Sequence, residues 1–325
     1  MIRFALLLLL ATSVQAASAP KETHSVDIDT AAEVYQAAAV REQVRASLGS
    51  MPDKIRQMFA VDTQASVSDR QLDAVSAAAK HGFQIAVFEP PALQALANNL
   101  DPATVKKSLA FLNSDLGRRM VAADVALSNL SESDIDKVME GELKVPSTPQ
   151  RDALTAKLEE DTQSTESAVE IYLRIGRSIA VGTAVGAGMD PIAADEGAAK
   201  AVTPAGRAEL AQNLREPLRR YVAYGYRDLS DADLIQLSEF LKSAPGKRYV
   251  TAYNAAMSAG FDAMAKRCGE QIGESWRELA QAQVARPAGA RTPGSPSSPA
   301  APDMQTTPDP DPSVLPEPQP ASSSH

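Results

Sequence analysis

"FLKSAPGKRYV" occupies residues 240–250, and "FLNSDLGRRMV" occupies residues 111–121. Both read Phe-Leu-x-Ser-x-x-Gly-basic-Arg-x-Val, at an offset of 129 positions. The phrase spells a break between two helices. A serine hydroxyl accepts from the free N–H groups of a helix start, and a proline in the first turn sacrifices no intrahelical bond. One helix is therefore expected to end near Leu241 and another to begin near Ser243, with Pro245 in its first turn and a kink between the two. Gly246 lets a neighbouring backbone come close. In the first copy Ser114 caps without a proline, and Gly117 stands where Gly246 does. Phe111 and Phe240 are read as anchors of the first arm in the core. Of the repeated positions, only Arg119 and Arg248 have no structural task that the sequence assigns.

The same offset extends outward. Leu100 meets Leu229, Ala103 meets Ala232 and Val105 meets Leu234. This pattern reads as an internal duplication of a helical unit, diverged enough to give two pseudo-repeated domains rather than a solenoid. The polar run Pro146-Ser147-Thr148-Pro149 marks the expected boundary. The organisation read from the chain is a signal peptide over 1–16, a flexible segment over 17–32, helical domain 1 over 33–146, a linker over 147–162, helical domain 2 over 163–285 and a disordered tail over 286–325.

The fold class is all-α. Leu72, Val75, Ala79 and Phe83 recur at helical spacing, as do Val105, Leu109, Leu112, Leu116 and Met120, and no sustained period-two alternation appears. Ser68-Asp69, Asp101-Pro102 and Ser230-Asp231 are start signals. Gly49-Ser50-Met51-Pro52 and Glu89-Pro90-Pro91 read as breaks. From Arg286 the chain is dominated by Pro and Ser and lacks apolar anchors, so it cannot offset the entropy of ordering. It is expected to be a passive tail or a spacer.

The run Leu-Ser-Asp-x-Asp-Leu…Glu-Phe-Leu-x-Ser-x-Pro-Gly-Lys over residues 229–247 resembles the signature of domain of unknown function 2059, a bacterial family of mostly exported helical proteins. The resemblance covers residues 229–257, with a degenerate second copy over 100–128 in which Leu116 replaces the proline. It implies an exported, all-helical protein. It implies no activity and no catalytic residue.

The N-terminus supplies an independent address. Arg3 is a positive n-region, Phe4–Ala11 an apolar stretch, and Val14-Gln15-Ala16 a small-x-small cleavage site. The apolar run is far short of the ~20 residues of a spanning helix. Cleavage after Ala16 gives a mature chain with no transmembrane segment, placed in the periplasm or secreted. The single cysteine, Cys268, excludes an internal disulfide and reads as a buried packing residue. The net charge of −9 argues against nucleic acid and against an anionic membrane surface as partners.

Chemistry is sparse. The three histidines are His24, His81 and His325, and only His81 falls in the helical part, too thin a supply for a zinc site or a Ser-His-Asp triad. No metal, cofactor or catalytic residue is expected. Paired carboxylates at Glu159-Glu160-Asp161, Asp195-Glu196 and Asp231 with Asp233 could serve a cell-wall hydrolase. They also fit a solvated face and a helix start. Gly182 and Gly186, four apart, fit close packing of two helices. Arg215, Arg219, Arg220, Tyr221 and Tyr224 form a basic, tyrosine-bearing stretch that could grip an envelope protein or an anionic cell-wall glycan. Equally, it could be a surface helix whose tyrosines edge the core. The expected role is non-catalytic, an envelope interaction or scaffold module. The alternatives are the hydrolase and a helical pocket for an apolar ligand.

Overall fold

The computed structural model describes residues 25–62 and 67–284. Among these residues there are fourteen helices and no strand. In chain order they are α1 (Ile28–Ala37), α2 (Val40–Leu48), α3 (Met51–Asp62), α4 (Asp69–Gly82), α5 (Ile85–Asn99), α6 (Pro102–Leu112), α7 (Asp115–Ser128), α8 (Glu132–Glu140), α9 (Pro149–Thr162), α10 (Ser164–Gly186), α11 (Pro191–Lys200), α12 (Pro204–Gly225), α13 (Asp231–Lys242) and α14 (Ala244–Val284). The expected signal peptide over 1–16 and the expected disordered tail from Arg286 lie outside the described residues.

The start signals act as their chemistry requires. Asp101 accepts from the Thr104 N–H at 2.8 Å, and Ser68 and Ser230 close capping boxes with Gln71 and Asp233. Gly49-Ser50 separates α2 from α3. The expected break at Glu89-Pro90-Pro91 is not there: α5 runs through both prolines. Each proline forfeits one backbone donor. Burial of Phe88, Ala92 and Leu96 on one face of α5 offsets that loss, and Phe88 meets Phe261 edge-on at 5.3 Å.

The two-domain organisation also needs correction. Residues 147–162 are no linker, because 149–162 form α9, whose Leu158 is buried and which packs on α12 and α13. Nor does each half own a core. The larger apolar cluster takes Val34, Phe88 and Leu112 from before α9, and Ile175, Leu237 and Phe261 from after it. The smaller joins Leu127, Val138 and Met139 to Val169, Leu214 and Leu218. Helices up to Gln283 thus pack as one unit. The physical reason is that neither half can cover its apolar stripes alone.

Close helix contact is made by glycine, as the spacing of Gly182 and Gly186 suggests. A β-carbon on either would run into the backbone of α14 at Lys266 or Glu270, and one on Gly269 or Gly273 would run into α10 at Ile179 or Thr183. Four glycines therefore let α10 and α14 touch backbone to backbone.

Candidate functional site

The two repeated phrases make the same turn. Ser114 Oγ donates to the Phe111 carbonyl at 2.6 Å and accepts from the Gly117 N–H at 3.0 Å. Ser243 Oγ donates to the Phe240 carbonyl at 2.6 Å and accepts from the Gly246 N–H at 3.1 Å. In both turns that phenylalanine carbonyl lies where a β-carbon on the glycine would sit, which explains the residue. Pro245 stands in the first turn of α14, and the first copy makes its turn without one.

Phe111 and Phe240 do not anchor separate cores. They are half-buried and stack on each other, with centroids 3.8 Å apart and planes 5° from parallel. The arginines cross over in the same way. Arg119 donates to both carboxylate oxygens of Asp233, at 2.8 and 2.7 Å, and Arg248 pairs with Asp101. Each arginine thus reaches the start of the other phrase's first helix. The Arg119 guanidinium and the Ser230 cap hold Asp233 well below the usual carboxylate range. At Asp101 burial opposes ionisation, but hydrogen bonds from Thr104 and Arg248 outweigh it and leave the pKa lowered.

Past these turns, α7 and α14 run beside a cavity of about 70 Å³. From α7 come Met120, Val121 and Asp124; from α14, at the same 129-residue offset, come Tyr249, Val250 and Tyr253. Leu237 and Leu241 of α13, Val222 of α12 and Tyr226 just beyond it complete the wall, with Leu158 of α9. Two sharp helix breaks close the rest. Ala39, between α1 and α2, and Gln163, between α9 and α10, adopt left-handed φ of 50° and 52°, the only non-glycine residues among those described to do so. Such a conformation costs roughly 1–2 kcal/mol for a residue with a β-carbon. Their neighbours Ala38, Thr162 and Ser164 line the cavity.

The wall is mostly apolar. Asp124 is only 6% exposed, its Oδ1 has no hydrogen-bond partner, and the Tyr226 hydroxyl is its donor. Tyr253 donates to Gln43 Oε1 at 3.1 Å, and Gln43 Nε2 is fixed by the Ala38 carbonyl at 2.8 Å. Among the described residues no Arg, Lys or His lines this space. Burial pushes the Asp124 carboxyl up to about 7, with the Tyr226 hydrogen bond acting against it. Burial and the nearby Asp124 raise the Tyr226 phenol well above its ordinary range, and Tyr253 is raised too, by burial and by Tyr249 and Asp124. Chemically the site offers one uncompensated acid and three phenols facing an apolar space.

The basic stretch on α12 is arranged otherwise. Tyr221 is buried, with its hydroxyl on the Leu127 carbonyl at 3.3 Å, so it is core rather than face. Arg215 pairs with Glu166 at 3.0 Å, and Arg219 lies 3.7 Å from the buried Glu159. Arg220 donates to the Met139 carbonyl at 2.8 Å. Tyr224 lies under Arg227, whose guanidinium is 4.2 Å from the ring centroid. These five residues are therefore not one exposed face: Tyr221 lies in the core, and Arg215, Arg219 and Arg220 pair with groups inside the chain.

The carboxylate pairs are likewise engaged. Asp195 takes Arg177 at 2.7 Å, Asp231 takes Arg151 at 2.9 Å, and Asp161 accepts from Ser238 at 2.6 Å. His81 is exposed in the last turn of α4. Cys268 is fully buried against Gly82, and burial pushes its thiol up to about 12. Among the described residues no group of three or more His, Cys, Asp or Glu could hold a metal ion, and no helix is long and apolar enough to cross a membrane.

Sequence reasoning passed over Asp124, Tyr226, Tyr249 and Tyr253. The signal was present. Leu116, Met120 and Leu127 form the buried stripe of α7, and Asp124 is an acid set within it. No protein-family model, curated protein or solved structure matches this chain.

Proposed function

We propose that this chain is an exported, non-catalytic helical envelope protein that receives a small, largely apolar ligand in the cavity between α7 and α14. One observation carries the reading: Asp124 lines a mostly apolar cavity and keeps one carboxyl oxygen buried without a partner, and an unsatisfied buried polar atom costs about 1–3 kcal/mol. A ligand that supplies the missing partner recovers that cost. The left-handed residues at two breaks beside the cavity fit a site where strain is tolerated for function. Ligand sites are commonly apolar hollows with a few fixed polar groups. The N-terminal run that ends at Ala16 supports export. The family reading rests on residues 229–257, and the duplication reading rests on the matched turns. A non-catalytic role is favoured because the acids a hydrolase would use hold arginines or serines.

The test is a thermal-shift screen of the mature protein against short aliphatic compounds, neutral and charged, beside Val222→Phe, which fills the cavity. Stabilisation that is lost in Val222→Phe is the expected result. A screen without any shift, or equal shifts in the filled variant, would defeat the reading.

A further inference from the structure

Resting on the pocket reading, we infer that the cavity selects an alkylammonium group, with Asp124 as its counter-ion, the rings of Tyr226, Tyr249 and Tyr253 around its cationic head, and the apolar wall around its alkyl chain. Four observations converge on that class. Asp124 has a free oxygen and no basic residue beside it. The titratable groups facing it from the packed elements are phenols: Tyr221 and Tyr226 from α12 and its end, and Tyr249 and Tyr253 from α14. Phenol rings attract cations through their faces, and Tyr249 and Tyr253 stand 6.1 Å apart at an angle of 46°. Leu158, Val222, Leu237 and Leu241 supply hydrocarbon to the rest of the wall, and the polar ends of Gln43, Thr162 and Ser164, which also line it, are bonded within the chain.

An anionic ligand is disfavoured on the same grounds, since it would meet a carboxyl and no cation. A neutral alcohol could satisfy the free oxygen, but it would leave the rings without their charge partner. The size agrees with a short chain: about 70 Å³ is several times the ~10–15 Å³ that a single water needs. The half-exposed Val121, Thr162, Tyr226 and Val250 form the mouth.

Binding should be coupled to a proton. An empty site leaves the Asp124 carboxyl partly protonated near neutrality. An entering ammonium keeps its own protons and favours the carboxylate, so the acid proton passes to solvent. Titration calorimetry of the full mature chain at pH 7 with n-butylammonium chloride, in two buffers of different ionisation enthalpy, reads that release directly. The expected result is saturable binding with a fraction of a proton released. Asp124→Asn should weaken n-butylammonium at least tenfold and n-butanol by a smaller factor, because only the ammonium loses a counter-ion. Nα-acetyl-lysine methylamide carries the same head and tells whether a lysine side chain or a free amine is the better source.

Binding of n-butanol with none of n-butylammonium would overturn the ammonium inference and leave the pocket standing. Failure of both probes to bind would overturn both. If Asp124→Asn does not fold, the calorimetry on the unaltered chain still decides: n-butylammonium binding no tighter than n-butanol would also overturn the inference.

Discussion

Replacing Asp124 by asparagine should make the protein more stable in neutral solution and not in acid. The native carboxyl sits near 7 because burial disfavours its charge, against 3.8 for the exposed group. Its pKa is therefore raised on folding. The native state holds a proton over a range where the unfolded chain has released it, so the stability it confers is fully present below pH 3.8 and is lost as the pH climbs through 7. The interval spans about three pH units, and at 1.36 kcal/mol per unit the loss approaches ~4 kcal/mol. Asparagine stays neutral throughout and keeps an acceptor for the Tyr226 hydroxyl. Its amide adds donors whose cost is independent of pH, which shifts the whole curve but not its slope. The pH-dependent part of the difference is the diagnostic quantity.

The assay is urea unfolding of both proteins at intervals from pH 4 to 8. Other titrating groups are common to the two chains and cancel in the difference unless they couple to the site. The stability of Asp124→Asn relative to the unaltered chain should rise by several kcal/mol between pH 4 and pH 8, steeply between 5 and 7. A difference that stays flat within ~0.5 kcal/mol would show that Asp124 is hydrated or paired in solution, and the polar end of the cavity would have to be redrawn.

The stacked rings give a second expectation: a double-mutant cycle of Phe111→Ala and Phe240→Ala, read by urea melts, should return a coupling of about 0.5–1.5 kcal/mol, and strict additivity would mean the rings do not meet. Gly117→Ala and Gly246→Ala should each destabilise by about 1–3 kcal/mol or more, because the new methyl meets the carbonyl of Phe111 or Phe240; unchanged melting temperatures would contradict the turn geometry. Asp233 has a lowered pKa, so its contribution is present above the usual carboxylate range and disappears as the pH falls; Arg119→Ala should flatten the acid limb of the stability curve, and an unaltered limb would show that Arg119 is not its partner. Cys268 should react with a thiol reagent only at the rate of unfolding, and fast labelling of native protein would place it nearer the surface than the helices put it.

Much of the architecture was legible because it rests on local chemistry. Serine and aspartate at positions 68, 101, 114 and 230 stand before helices for the same reason wherever they occur, and the Gly182–Gly186 pair required a backbone neighbour. The break expected at Pro90-Pro91 failed where tertiary burial overrode local preference. Phe88 and Ala92 are worth more inside the core than two lost hydrogen bonds cost. The domain boundary failed for a related reason: a polar stretch such as Pro146–Pro149 shows where a chain leaves the core, not whether the next helix returns to the same one. On α12 the charges suggested a face to a reader who could not see Glu159, Glu166 and the Met139 carbonyl waiting across the fold.

The pocket was the least legible feature, and the repeated phrase shows why. Of the three equivalent pairs that line the cavity, two diverge: Met120 and Asp124 on α7 stand against Tyr249 and Tyr253 on α14, while Val121 and Val250 are alike. The turns just before them are held alike by the serine bonds and the glycine contacts. Matching turns set two helices side by side in a reciprocal arrangement, with the arginines crossing to the opposite helix starts. Unlike residues one or two turns further on then make the space between them chemically one-sided. On the ligand reading proposed above, the informative signal along this chain is the loss of likeness that follows a repeated turn. A search restricted to identities between the two copies takes Ala123 with Ala252 and Ala126 with Ala255 and passes over the unlike pair between them, Asp124 and Tyr253, which holds the only buried acid in the cavity wall.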